Sequence, residues 1–544
     1  MKKFKALRIF SLALCLVLVI GAVSGSGVLT FVSAEDAGYY DAANKKDEVL
    51  EPMDNNFLSR TQVTYNNING RDVNVYTFFR KTNEIQNNPN FSQILLVKQC
   101  IDYKKAHPTE DVKITIGSFH FSVYLAACVD ETKEDYGKLM NLYDVDHDPE
   151  TGYYRLAYLL TEAAKMGVEV TVLAHLHADY VVVNEAGDIR HDIPFQNYYY
   201  PVLAEPAYPE YVGEGKTVGD FMTARKFDWT SYGDMAATDM MHLKLCTVSN
   251  YIDSDGVEHG GSLWVGSINI DGIDYLGRND NNTDQSALLI SDHEEMYRVA
   301  YNYSRLIADY NHREGGTIFR DMASKVTTEQ IKLLSSGRGD EIDPDEQIVY
   351  IGTENDKVFE LYFTPLGGEV NYWDTLNNPY CKYIEKLLPQ YSGEDYIEVI
   401  WNNVKFVQNS DLFDTYAEIF AYSFKENARL ENRLRLRLPG IKEEMFDGLV
   451  EGVNIGKLWI NEKYINYHIK DLMLSYSENG ERHWVTVYNS LNMHQGSSCY
   501  QANTILIINE TEATGNDLYT DYAILSTPEM EFESRRVPAP NKNK

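Results

Sequence analysis

His242-Leu-Lys-Leu-Cys-Thr-Val-Ser249 and, far downstream, His468-Ile-Lys-Asp-Leu-Met-Leu-Ser475 are two writings of one pattern. Each sets a Lys two residues after the His and a Ser seven residues after it. A polar turn follows, then a (Gly or Asn)-Ser-x-Asn tetrad: Gly266 to Asn269 in the first copy, Asn489 to Asn492 in the second. On a strand, side chains at i and i+2 share a face. His242 therefore projects with Lys244, and Ser267 with Asn269; the same parity joins His468 to Lys470 and Ser490 to Asn492. Two paired strands per copy gather an imidazole, an ammonium, a hydroxyl and a carboxamide around one point. Two such points supply two imidazoles and two ammoniums and no obvious metal cage. That set suits an oxyanion whose phosphorus is attacked by one His while the other protonates the leaving oxygen.

On these residues the chain resembles the phospholipase D superfamily, whose half-site motifs read H-x-K-x4-D followed by (G/N)-S-x-N. One His-x-Lys is a weak signal. Two copies, each with its Ser-x-Asn at a similar distance, are a much stronger one. The resemblance implies an α/β, bilobal phospholipase D-like fold: two pseudo-equivalent β-α-β-α-β-sheet halves with the active site between them. It also implies that one His forms a covalent phosphohistidine and the other acts as acid, then base. By analogy His242 is assigned as nucleophile and His468 as acid/base, although the residues themselves leave the two interchangeable. Lys244 and Lys470 hold phosphate oxygens in this scheme, with Asn269, Asn492, Ser267 and Ser490 completing the cradle. The family sets an acidic or amide residue shortly after each Ser-x-Asn to orient an imidazole; Asp284 and Gln501 are the candidates. The chain departs from the pattern at Ser249 and Ser475, which stand where the family usually has Asp. An offset of seven points such a residue away from its His, so both serines are expected to support the strand, not to touch phosphate.

Composition constrains the rest. The 544 residues suffice for two to four domains. The formal charge is −32, and removing the first 34 residues, which carry four basic groups and no acidic one, takes it to −36. A field of that sign repels nucleic acid and anionic membrane at long range, while a local basic pocket can persist. Lys2, Lys3, Lys5 and Arg8 precede an apolar run from Ile9 to Val23, and Val32-Ser33-Ala34 offers small residues before Glu35. This pattern is that of a signal peptide over 1–34, so export is expected, with an uncleaved membrane anchor as the alternative. Beyond it, Cys100, Cys128, Cys246, Cys381 and Cys499 are scattered, forming neither a zinc site nor a disulfide framework.

The order of segments follows. Residues 35–90 are polar and predict an exposed approach. Residues 91–322 make the first half, with a helix over Phe91 to Lys105, strands at Val112 to Ile116 and Val168 to Leu173, a continued helix over Tyr124 to Val129 and a helix over Tyr154 to Lys165. An aromatic insertion spans 180–240. Residues 323–348 are an acidic, turn-rich linker, and 349–544 repeat the plan, with strands at Lys357 to Thr364 and Tyr396 to Trp401 and helices at Tyr380 to Leu388 and Ser410 to Glu431. Ile505 to Ile508 aligns with Ala287 to Ile290. His175, His177 and Asp179 alternate at a strand end and could hold a divalent ion; with no fourth ligand in view, they are assigned to a cleft mouth. The expectation is thus a secreted, monomeric, cofactor-free and metal-independent phosphodiesterase acting on phospholipid at a membrane surface. A secreted nuclease of the same superfamily is disfavoured by acidity. A non-catalytic relative that keeps the fold is the remaining alternative.

Overall fold

Short apolar runs buried on both faces dominate the chain's interior, and they assemble into two large mixed sheets. The computed structural model describes residues 55–68, 70–80, 89–175, 181–183, 189–191, 195–227, 240–270, 284–291, 294–309, 349–352, 357–364, 398–401, 434–439, 458–461, 470, 472–490, 501–520 and 534–537. The strands of the first sheet and its flank are β1 (Thr61–Ile68), β2 (Arg71–Arg80), β3 (Lys113–Ser118), β4 (Glu169–His175), β5 (Met222–Phe227), β6 (Met240–Met241), β7 (Lys244–Val248), β8 (Ser262–Gly266) and β9 (Asp284–Ser291). Those downstream are β10 (Val349–Gly352), β11 (Lys357–Thr364), β12 (Glu398–Trp401), β13 (Leu434–Pro439), β14 (Leu458–Asn461), β15 (Leu472–Glu478), β16 (Glu481–Asn489), β17 (Gln501–Thr511) and β18 (Ser534–Val537).

The first sheet runs β1-β2-β9-β8-β7-β3-β4-β5 and the second β10-β11-β17-β16-β15-β12-β13-β14-β18, with β6 laid beside β17. From β2 to β5 and from β11 to β14 the orders correspond strand for strand. The directions correspond too: β7 pairs antiparallel with β3 as β15 does with β12, and parallel pairing takes over from β3 to β5 and from β12 to β14. The β15–β16 hairpin turns at Asn479 and Gly480, both at positive φ, which is the two-residue geometry that an Asn-Gly pair adopts most readily.

Helices α1 (Asn90–Ala106) and α2 (Leu156–Lys165) cover one face of the first sheet. In α2 the buried Leu156, Leu159, Leu160, Ala163 and Ala164 recur at helical spacing. The helix stops at Gly167, whose φ is +80° and where a Cβ would collide with Val212. Ile114, Ile116, Val170, Val172, Cys246 and Trp264 share this core. The alternate residues Leu245, Val265, Ala287 and Leu289 face the other way and join Phe359, Leu361, Met473, Leu506 and Ile508 of the second sheet in one apolar cluster. The period-two alternation of the central strands β7 and β8 thus buries both of their faces. Helix α4 (Glu294–Asp309) contributes Val299, Ala300 and Tyr303 to that second cluster. The chain is a mixed α/β protein.

Two expectations need correction. Residues 35–90 are not wholly an exposed approach, because β1 and β2 lie within them and pair into the first sheet beside β9. Val73 and Val75 are buried while polar residues alternate with them, a pattern hidden by the segment's overall polarity. The helix expected over Tyr124 to Val129 is instead a strand, Leu125–Cys128, in a small four-stranded sheet. A short apolar run does not by itself separate the two states. The insertion contains helix α3 (Phe195–Val202) and supplies β5 as the parallel edge of the first sheet. The linker at 323–348 and the helices expected at 380–388 and 410–431 lie outside the described residues, as does 1–34. Among the described residues no helix is long and apolar enough to cross a membrane.

At the junction of the sheets, Tyr65 meets Phe359 edge to face at 5.3 Å, and Tyr303 stacks on Phe363 at 4.5 Å. The Tyr65 hydroxyl donates to Glu510 Oε1 at 2.9 Å; Leu518 N and Tyr519 N also donate to this carboxylate, at 3.2 and 2.8 Å. Burial pushes the Glu510 carboxyl up to about 7, outweighing the three donors, each of which pulls it down. A raised acid stabilises the fold fully below its unfolded value and progressively less as pH rises through the folded one. Glu510→Gln should therefore gain melting temperature relative to the parent as pH increases from about 5 to about 8. A difference that stays constant across that window would show that Glu510 does not titrate in the fold.

Candidate active site

The His-x-Lys segment passes from one sheet to the other. β6 runs parallel to the start of β17, and His242 N donates to Ala502 O at 2.9 Å. Two residues later Lys244 pairs with Ser118 in the first sheet. His242 therefore sits at the seam, its backbone held by the second sheet and its neighbour's by the first. Leu243 packs against Gly117, where a Cβ would lie only 3.1 Å from the Leu243 Cβ, so a glycine permits this approach.

The imidazole is held at both nitrogens. Lys244 Nζ lies 3.2 Å from His242 Nε2 and 3.3 Å from the His242 carbonyl oxygen. An ammonium only donates, so Nε2 accepts and the ring proton is on Nδ1. Nδ1 then donates to Asn503 Oδ1 at 3.0 Å, an acceptor from the second sheet. The Ser490 hydroxyl accepts from Thr504 N at 3.0 Å and donates to the same Oδ1 at 3.3 Å. The hydrogen bonds are mutually consistent and set the Nε2 lone pair toward the lysine. His242, Lys244, Asn503 and Ser490 are all buried, as is Lys470, whose carbonyl accepts from Asn489 Nδ2. Two lysine side chains are thus buried in a chain whose formal balance is −32.

Ser267 and Asn269 follow the end of β8 and are buried. The segment after them is tied to the loop after β3: Ile270 N donates to Ser118 Oγ at 2.9 Å, and Ser122 N donates to Ile270 O at 2.7 Å. Asn269 Oδ1 is buried without a hydrogen-bond partner among the described residues.

Asn503 was not among the residues singled out from sequence. Strand register identifies it. Gly266 faces Ser286 across β8–β9, and Asn489 faces Ile505 across β16–β17. Stepping back two residues gives Asp284 in the first sheet and Asn503 in the second. Gln501 opens the same strand two residues earlier. Asp284 begins β9, and the side chains of Asp284 and Gln501 lie outside the described set, as do His468 and Asn492 entirely.

Ser249 directly follows β7, and Ser475 lies in the middle of β15, paired with Glu398 and Trp484. Ser249 Oγ accepts from Lys113 N at 2.9 Å, and Ser475 Oγ donates to His483 O at 3.0 Å. His175 is buried with its ring stacked on Phe119 at 4.9 Å. Among the described residues no three His, Cys, Asp or Glu side chains group as metal ligands; His177 and Asp179 are not in that set.

No family model and no curated protein matches the chain. Among solved structures it is similar to polyphosphate kinase from Porphyromonas gingivalis, with 10% identity and a TM-score of 0.40 over 80% of this chain and 47% of that one. It is also similar to phosphatidylserine synthase from Haemophilus influenzae Rd KW20, with 11% identity and a TM-score of 0.40 over 85% and 87% of the two chains. The chain spans about half the length of the polyphosphate kinase.

The two kinds of polar residue described here should respond differently. Ser249→Ala should cost about 1 kcal/mol in denaturant unfolding, the value of one buried hydrogen bond, and leave the His242 ring resonances unchanged. Asn503→Ala should instead disturb the His242 tautomer, seen as a shift of its Nδ1 and Nε2 signals in long-range 1H–15N spectra. Unchanged His242 signals in Asn503→Ala would remove Asn503 from the site.

Proposed function

We propose that this chain is a secreted phospholipase D-like phosphodiesterase, with a bilobal fold whose two equivalent halves share one active site. The observation that carries this reading is the His242–Asn503 hydrogen bond, which joins an imidazole at the seam of the two sheets to an amide of the second, beside the buried Lys244. The matching strand orders support it, as does the Ser490 hydroxyl on the same amide oxygen.

In this mechanism the Nε2 lone pair of His242 attacks phosphorus. A P–N bond forms and the P–O bond to the leaving alcohol breaks, with His468 delivering the proton that the departing oxygen takes. Lys244, Lys470, Asn269 and Asn492 hold the non-bridging oxygens through the transition state. His468, now neutral, removes a proton from water or an acceptor alcohol, which displaces His242 and gives hydrolysis or transfer. Asn503 holds the Nδ1 proton throughout and so keeps Nε2 as the attacking atom. Imidazoles and ammoniums supply the nucleophile and the charge stabilisation, so the chemistry needs no metal ion. The substrate is a phospholipid, and the acidic exterior favours a zwitterionic or cationic headgroup over a polyanion.

His242→Ala, His468→Ala and the double variant test the reading on phosphatidylcholine vesicles and on DNA, with and without chelator. Each single variant should fall to background, with the double no worse, because the pair acts as a unit. The parent should retain its activity in chelator. DNA cleavage in place of lipid hydrolysis would assign a nuclease. A parent inactive on both substrates that gains activity in Ser249→Asp or Ser475→Asp would mark a degenerate relative.

A further inference from the structure

Phe119 directly follows β3 and stands between the site and a third imidazole. Its ring centroid is 5.1 Å from that of His242, tilted by 59°, and Lys244 Nζ lies 5.6 Å from it. The His175 ring lies nearly parallel to it at 4.9 Å, and His175 N donates to the Phe119 carbonyl at 3.3 Å. His175 is buried, so the phenyl ring is backed by a fixed side chain.

The lysine has two tasks that conflict. In this structure Nζ donates to His242 Nε2, the lone pair that must attack phosphorus. When a phosphate enters, Nζ has to give up that hydrogen bond and donate to a phosphate oxygen. An aromatic ring attracts the charge through its quadrupole but accepts no strong hydrogen bond, and so tolerates both positions.

Resting on the phosphodiesterase reading, we infer that Phe119 is a positioning residue for Lys244. It holds the ammonium beside His242 while letting it exchange the imidazole nitrogen for a substrate oxyanion. His175 sets the ring's orientation. This gives the first of the three residues His175, His177 and Asp179 a place in the site as support for Phe119, without a ligand role.

The test compares the parent with F119L, F119Y and H242A. The readouts are orthovanadate binding, kcat and KM for bis(p-nitrophenyl) phosphate, and melting temperature. F119L keeps the apolar bulk but removes the π face. It should weaken orthovanadate binding and raise KM by about two- to thirtyfold, the range a cation–π contact carries, with melting temperature close to the parent's. F119Y, which keeps the face, should bind and turn over like the parent. F119L binding orthovanadate like the parent would overturn the inference, as would equal losses in F119L and F119Y. Hydrolysis by H242A at the parent's rate would instead sink the phosphodiesterase reading itself, whatever Phe119 does.

Discussion

The hydrogen bond from His242 Nδ1 to Asn503 Oδ1 ties the proposed chemistry to the way the two sheets meet. Neither sheet supplies both groups. The imidazole arrives on a segment that leaves the second sheet at Met241 and enters the first at Lys244, while the amide comes from the start of β17. Everything that holds the sheets in register therefore also sets the direction of the Nε2 lone pair. The apolar cluster from Leu245 and Val265 to Leu506 and Ile508 contributes to this, as do the aromatic contacts of Tyr65 and Tyr303. A shift of an ångström at this seam would separate acceptor from ring, and such misplacements are costly in catalysis.

The electrostatic design divides inside from outside. The chain is strongly acidic overall, yet it buries Lys244 beside His242, and it buries Lys470 as well. A long-range field of that sign slows the approach of polyanions, and in the proposed mechanism the buried lysines act at short range on a single phosphodiester.

The candidate site was legible in the sequence because it is written in compact motifs. The doubled His-x-Lys and Ser-x-Asn patterns singled out Lys244, Ser267, Asn269, Lys470 and Ser490, all of which are buried. The strand from Lys357 to Thr364 was legible from its apolar, β-branched and aromatic residues. Asn503 was missed for a definite reason. Aligning the apolar runs Ala287 to Ile290 and Ile505 to Ile508 matches Ala287 with Ile505, whereas the register matches Ser286 with Ile505. A slip of one residue exchanges the two faces of a strand, so the run that looked equivalent hid the residue that was. The hairpin of β1 and β2 was missed for a different reason: its buried valines are diluted by polar neighbours, and only pairing with β9 shows which face matters. Phe119 carries no motif at all, since its role comes from what surrounds it in space.

The most direct test is to trap the intermediate. Rapid mixing with a phosphodiester, quenching in alkali, in which a phosphohistidine survives, and peptide mass spectrometry should find the substrate's phosphoryl group on the peptide containing His242. The adduct should be lost in His242→Ala. An adduct on His468, on a serine, or on no residue during active turnover would contradict the assignment of His242 as the nucleophile.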